Sequence, residues 1–392
     1  DRKQRQVDLA GRDAVGLAAI LFTSGSTGAP KGVCYEHGMF EAQVRLIRET
    51  YGITPGEVDL PLLPIFALFN PALGMTTIVP ELDPSRPASL DPAKIVQAIQ
   101  QEKVTNSFGS PTLWRKIGAH CRAQNIALNS LRRVLCAGAA VPADLWRDSR
   151  VWLPYGKLHS PYGATESLPV ASISSSEIEP DSVRGACVGR PIRGVDVKII
   201  AINDGPAADL PAAHELEAGE VGEIIVRGPV VTKTYDANPT ATAAAKIAAR
   251  EGGIWHRLGD CGYLDADGRL WFSGRKVERV DTVYGTLHTE PCEQVFRRHP
   301  RAARCALVGL GERGRQRPAI VVEATVADSD EARALARELR QLALQHEHTA
   351  TIKLFYFHEQ FPVDVRHNAK IHRLTLAKWA ATAVGFESDP KR

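Results

Sequence analysis

Along the chain, apolar positions follow three rhythms, and each predicts a different kind of element. The helical spacing of Phe40, Val44 and Ile47 marks His37–Tyr51 as a helix that ends at Gly52. Residues 95–101 and 111–120 also read as helices, on either side of a strand-like 105–108. The apolar run Leu17–Phe22 predicts a buried strand, and 131–137 a further strand. Alternation with turn glycines over 189–200 and 219–229 predicts a small antiparallel or barrel-like subdomain, its strands separated by the polar loop 203–218. Residues 60–75 are unusually apolar for a loop-rich stretch and suit either plain core or the wall of a pocket.

From about residue 276 the pattern becomes that of a compact α+β module. It predicts helices over 290–299, 330–346 and 371–380, with strands over 303–309, 319–324 and 353–357. Leu335, Ala336, Leu339, Leu342 and Ala343 share one face of the 330–346 helix, a stripe suited to core packing. The fold class is therefore α/β and α+β: a large domain over 1–274 and a small one over 275–392. Residues 1–16 are charged and without period, and read as a linker or the remnant of a preceding part.

Composition narrows the possibilities. With 392 residues, 44% apolar and 24% charged, the chain can bury two proper cores. A net charge of +3, with no long basic run or aromatic-basic stripe, argues against a nucleic-acid partner. Seven scattered cysteines, none in a C-x-x-C pair, read as reduced thiols of a cytoplasmic protein. No apolar stretch approaches the ~20 residues a membrane span needs.

The densest candidate chemistry lies in 21–33, where Thr23, Ser24, Gly25, Ser26, Thr27 and Gly28 lead to Pro30, Lys31 and Gly32. Such a loop offers successive N–H groups and hydroxyls to phosphate oxygens, with Lys31 as a mobile point charge. It is not a Walker loop, because Pro30 stands at the second glycine position and Gly32 follows the lysine. In the string from Ser160 to Glu166, Tyr162 offers a ring for a purine, Thr165 a hydroxyl and Glu166 a hard carboxylate. Asp260, at a strand-turn boundary, is suited to accept two hydrogen bonds from a ribose diol.

Together these strings resemble the signatures of the acyl-adenylate-forming superfamily of acyl-CoA synthetases, adenylation domains and luciferases. The resemblance implies ATP and Mg²⁺ as cofactors and the superfamily's adenylate-forming fold, with a small C-terminal domain that swings. The phosphate loop from Thr23 to Lys31 would hold the triphosphate, with Thr165 contacting phosphate and Glu166 the metal. Gly138 and Ala139 match the small-residue turn near adenine; Tyr162, Gly163 and Ala164 match the adenine-stacking motif. Asp260 matches the ribose aspartate and Arg275 the ribose-contacting, interdomain arginine. Lys370 matches the adenylation lysine, with Ala369 in place of the usual glycine. Val277 stands where relatives carry a hinge Asp or Lys. Phe66, Phe69 and Met75 fall where relatives bind the organic acid. Relatives also carry a substantial subdomain before the phosphate loop, so the chain reads as the later part of a longer protein.

The C-terminal strings Gly-Arg-Lys-Val-Glu-Arg-Val, His-Thr-Glu-Pro-Cys-Glu-Gln-Val-Phe and Pro-Val-Asp-Val-Arg-His-Asn-Ala-Lys are most similar to one bacterial branch, the olefin β-lactone synthetases. That resemblance implies activation of a long-chain 2-alkyl-3-hydroxy acid and ring closure by its own hydroxyl, with no coenzyme A and with other olefin-pathway enzymes alongside. The alternatives are a long-chain acyl-CoA synthetase, a carrier-linked adenylation domain, or a nucleotide-binding fragment without activity. His288 and His367 lie near matched strings, and each reads as a solvated histidine.

Overall fold

Short strands with alternating inward residues build the parallel half of the main sheet. Val134 and Cys136 pack into the cluster beneath the helices Pro92–Gln101, Pro111–Ala123 and Ala143–Trp152. Leu135, between them, joins Phe108 in the cluster on the opposite face, where Tyr51 of the His37–Tyr51 helix also packs. A parallel sheet covered on both faces follows directly from that alternation. A computed structural model provides these coordinates and describes residues 13–23, 29–83, 86, 89–179, 182–207, 209–250, 252–363 and 370–388.

Among the described residues, twelve strands form one large sheet. Thr76–Thr77, Val58–Pro61, Asn106–Gly109, Arg133–Cys136 and Lys157–Ala164 run parallel. From Lys157–Ala164 onward the pairing turns antiparallel, through Ser167–Ser174 and Ala186–Pro191 to Leu270–Arg275 and Ile254–Leu264. Gly222–Arg227 and Asp196–Ile200 complete that edge. The strands expected as a small separate subdomain are antiparallel, but they are not set apart: Ala186–Pro191 bonds to Ser167–Ser174, which fuses them to the parallel half.

One buried ion pair ties three pieces of the parallel half together. Arg133 donates to Glu57 at 2.6 and 2.9 Å and to the Tyr51 carbonyl at 2.6 Å. Burial alone would push the Glu57 carboxyl up. Hydrogen bonds from Arg133, the Thr54 N–H and Thr105 prevail and hold it at about 2.

Leu17–Phe22 is a strand, paired with Gly32–Glu36, yet it is not the buried one its composition suggests. Leu17 is 60% and Phe22 63% exposed, because this two-stranded ribbon lies outside the large sheet.

The C-terminal module follows its predicted pattern, with ends shifted by a few residues. Its sheet runs Cys305–Leu310, Arg317–Glu323, Leu354–His358 and Phe386–Glu387, the middle pair parallel. Leu307, Ile320, Val322 and Phe355 face the Thr289–Phe296 and Ser329–Ala343 helices; Ala306, Val308, Ala319 and Val321 face Arg373–Ala380. The Asp328 carboxylate caps the first turn of Ser329–Ala343, accepting from the N–H groups of Asp330 and Glu331.

Candidate active site

Thr23 and Lys31 close the base of the phosphate-loop stretch. The two backbones bond at 3.0 Å, and the Lys31 N–H donates to the Thr23 hydroxyl at 3.0 Å. The loop tip itself (Ser24, Gly25, Ser26, Thr27 and Gly28) lies outside the described residues. Lys31 is exposed, with Nζ 5.0 Å from the ring centre of Tyr235.

Thr165 and Glu166 form the tight turn between the strands Lys157–Ala164 and Ser167–Ser174. Gly163 is required just before it, since a Cβ there would come within 2.7 Å of the Ser167 carbonyl oxygen. The turn is gripped from two sides. The Tyr35 hydroxyl donates to the Thr165 carbonyl, while the Thr232 N–H and hydroxyl donate to the Glu166 carbonyl at 2.9 and 3.1 Å. The Tyr235 hydroxyl donates to Glu166 Oε1 at 2.7 Å. Tyr35, Thr232 and Tyr235 carried no motif, and only their aromatic or hydroxyl character next to apolar residues could have flagged them.

A third group sits where the parallel and antiparallel halves meet. The Tyr162 hydroxyl donates to Asp260 Oδ2 at 2.6 Å. Arg275, opposite Asp260 on the next strand, places Nη1 2.8 Å from Asp260 Oδ1 and donates to the Leu258 carbonyl at 3.2 Å. Asp260 is only 6% exposed, so its charge is matched by the guanidinium in a poorly solvated place. Burial pushes the Tyr162 phenol well above its ordinary value, and the Asp260 carboxylate adds to the shift.

Gly138, Ala139, Arg275 and Lys370 line one cleft of about 1240 Å³ between the Pro111–Ala123 and Ala143–Trp152 helices and the C-terminal module. Gly138 opens the turn there at φ +97°, a conformation that favours glycine. Ala164 packs beside Tyr162 against the antiparallel core. Phe66, Phe69 and Met75 come together in one apolar cluster, with the Phe66 ring stacked on Phe108 at 3.4 Å between centres. Phe69 and Met75 are buried in it, at 9% and 8% exposure.

Two titratable groups behind Tyr235 also escaped the sequence. Lys246 donates to the Thr232 carbonyl and is pushed down to about 7 by burial, which the nearby Glu166 carboxylate partly opposes. His256 is buried beside it and is lowered well below its ordinary value, first by burial and then by Lys246. His288 is not the solvated histidine its sequence position suggests. Burial, with the Arg279 charge, holds it at about 4, and Nδ1 has no partner among the described residues. His367 lies outside the described residues.

A family model described as AMP-binding enzyme matches residues 3–236. The chain belongs to the AMP-binding enzyme family. Within it, an olefin β-lactone synthetase of Stenotrophomonas maltophilia (strain K279a) is 48% identical over 383 residues, covering 95% of this chain and 68% of its own length. An olefin β-lactone synthetase of Xanthomonas campestris pv. campestris is 46% identical over 384 residues, with the same coverage of 95% and 68%. ATP-bound MatB from Rhodopseudomonas palustris has a TM-score of 0.74 at 21% identity, covering 95% of this chain and 69% of that one, which shows the shared fold. The AMP-binding family has the adenylate-forming fold expected here and uses ATP with Mg²⁺.

The donor set suits that metal. Among the described residues, no three His, Cys, Asp or Glu side chains converge to hold an ion by themselves. Mg²⁺ prefers to take most of its ligands from nucleotide phosphate and water, with one or two protein carboxylates. Glu166 could supply the protein's share: Tyr235 occupies one lone pair of Oε1, which leaves the rest of the carboxylate available.

Proposed function

We propose that the chain is an ATP-dependent β-lactone synthetase acting on a 3-hydroxy carboxylic acid, with a long-chain 2-alkyl acid as the specific substrate. The observation that carries the reading is the cleft that Arg275 and Lys370 share with the Gly138 turn, in a chain 48% identical to an olefin β-lactone synthetase. In the first step a carboxylate oxygen attacks the α-phosphorus of ATP, and pyrophosphate leaves with the electrons of the broken P–O bond. Tyr162 and Asp260 hold the nucleoside, the Thr23 to Lys31 stretch the triphosphate, and Lys370 offsets the charge where two anions are brought together. Mg²⁺ on Glu166 supplies charge neutralisation on the phosphates when bound. Fixing the carboxylate in line with phosphorus turns a two-body encounter into a positioned one.

In the second step the substrate's own 3-hydroxyl attacks the acyl-adenylate carbonyl. The C–O bond to AMP breaks, the hydroxyl proton is released and a four-membered lactone forms. Residues 275–392 act as the swinging module that brings Lys370 in and out. Phe66, Phe69 and Met75 border the place of the alkyl tail. The seven free cysteines support a reducing, cytoplasmic setting, where the product would pass to other enzymes of olefin formation.

The test is incubation with ATP, Mg²⁺ and a long-chain 2-alkyl-3-hydroxy acid, with and without coenzyme A, with products identified by mass spectrometry and NMR. A β-lactone and AMP formed without the thiol is the expected result. Acyl-CoA appearing only when the thiol is added would overturn the reading in favour of an acyl-CoA synthetase.

A further inference from the structure

Glu166, the carboxylate proposed above to hold Mg²⁺, is itself held by a segment that the motif strings did not include. Thr232 bonds twice to the Glu166 backbone, and three residues later Tyr235 bonds to its carboxylate. The segment is itself braced on both sides. The Thr234 carbonyl accepts from the Cys34 N–H at 3.2 Å, and the Asp236 N–H donates to Gly32 at 2.8 Å, which fastens it to the strand leaving the phosphate loop. The Tyr235 N–H donates to the Thr242 hydroxyl at 3.0 Å. The other brace is Lys246, whose Nζ donates to the Thr232 carbonyl and lies 5.9 Å from the Tyr235 ring centre. Lys246 begins the strand Lys246–Ala248, which is bonded to the strand that carries Asp260.

This is an uncommon post for a lysine. A largely buried ammonium directed at a backbone carbonyl, beside a ring that a second lysine also approaches, is not a solvated surface charge. Its geometry makes sense if the peptide it holds must not move. Glu166 sits on a two-residue turn, and a carboxylate there would otherwise rotate among several directions.

We propose that Tyr235 and Lys246 are positioning residues for the Glu166 carboxylate, Tyr235 directly through Oε1 and Lys246 through the Thr232 peptide. The inference rests on Glu166 as the metal-binding group. Outer partners of this kind fix the direction of a ligand, and their loss costs roughly 10–100-fold in metal affinity or activity.

Binding of Mn²⁺ tests this without turnover. The intact chain is titrated with Mn²⁺ in the presence of α,β-methylene-ATP, and the free ion is followed by electron paramagnetic resonance. Tyr235→Phe keeps the ring and removes only the hydroxyl, and it should weaken Mn²⁺ binding about tenfold. Lys246→Met should do the same, and Lys246→Arg should restore most of the affinity by donating again to Thr232. The double variant Tyr235→Phe/Lys246→Met should lose less than the sum of the two, because both act on one carboxylate. Thermal melts identify any variant that is not folded; Tyr235→Phe carries the test if Lys246→Met fails to fold. Affinity within twofold of the parent in folded Tyr235→Phe overturns the proposal. A Glu166→Gln arm separates the two readings. If it weakens Mn²⁺ binding while Tyr235→Phe does not, only the positioning role falls. If Glu166→Gln also leaves affinity intact, Glu166 is not the metal's carboxylate and both fall.

Discussion

Asp260 and Arg275 stand directly opposite each other on adjacent antiparallel strands, with Nη1 of the arginine 2.8 Å from Oδ1 of the aspartate. Fifteen residues apart in sequence, they form one unit because a tight turn over 265–269 returns the chain. Gly268 at φ +74° makes that turn, and the Asp265 carboxylate accepts from the N–H groups of Asp267 and Arg269. The pair joins Tyr162, from the other half of the sheet, in a single hydrogen-bonded group.

Asp260→Asn removes the charge that Arg275 balances and weakens the acceptor for Tyr162 and for a ribose. A hydrogen bond to a charged group contributes roughly 1.5–3 kcal/mol, so the KM for ATP should rise by about tenfold or more. The AMP-release rate against ATP concentration reads this directly. Tyr162→Phe should give a smaller rise, because the ring remains.

Lys370 lines the cleft at the edge of the C-terminal module. Lys370→Ala should cut adenylation, measured as ATP–pyrophosphate exchange, on the order of 10²–10³-fold, the usual effect of deleting one preorganised charge stabiliser. The melting temperature should stay close to that of the parent, since the residue is not part of either apolar core of the module.

The Arg133 and Glu57 pair is a stability element away from the cleft. Arg133→Met leaves a buried carboxylate without its partner and should cost about 3–5 kcal/mol in urea unfolding at pH 7. The same pair sets an acid response. Glu57 is held at about 2 in the folded chain against 4.5 when free, so the unfolded chain takes up the proton first as pH falls. The stabilisation is whole above pH 4.5 and drains away between there and about pH 2. In Glu57→Gln the corresponding part of the acid slope should be missing.

Gly118 lies against Trp152, whose ring stacks on that of Trp114, parallel within 3° at 5.4 Å. A Cβ on Gly118 would meet Nε1 of Trp152 at 2.8 Å, and both rings are fully buried. Gly118→Ala should therefore destabilise by about 1–3 kcal/mol through overpacking, seen as a lower melting temperature.

Elements with a strong local period were legible in the sequence. His37–Tyr51 matches its predicted span, and the face of Ser329–Ala343 carrying Leu335, Ala336 and Leu339 is buried as expected. Pairing between distant segments was not legible. Nothing local tells that Ala186–Pro191 bonds to Ser167–Ser174 and fuses the two halves of the sheet, because alternation sets a strand's faces and not its neighbour. The exposure of Leu17 and Phe22 was hidden for a similar reason: an apolar run states what a strand is made of, whereas burial depends on what lies against it. At the candidate site, the motif strings named Tyr162, Asp260 and Arg275, which the structure brings into one group, but not Tyr35, Thr232, Tyr235 and Lys246. Each acts through a backbone carbonyl or a single carboxylate oxygen, and contacts of that kind leave no pattern in spacing.

The stacked rings of Phe66 and Phe108, with Phe69 and Met75 buried behind them, have a consequence for how this protein could diversify. Under the function proposed above, the surface that would border the tail of the acid and the filling that supports the first helix are made of the same side chains. Room for a bulkier tail is then carved from the interior, so each widening substitution also opens a void beside Tyr51 and Leu135. Substrate range and heat tolerance are thereby placed in trade-off, and variants that accept larger acids are expected to need compensating changes elsewhere before they persist.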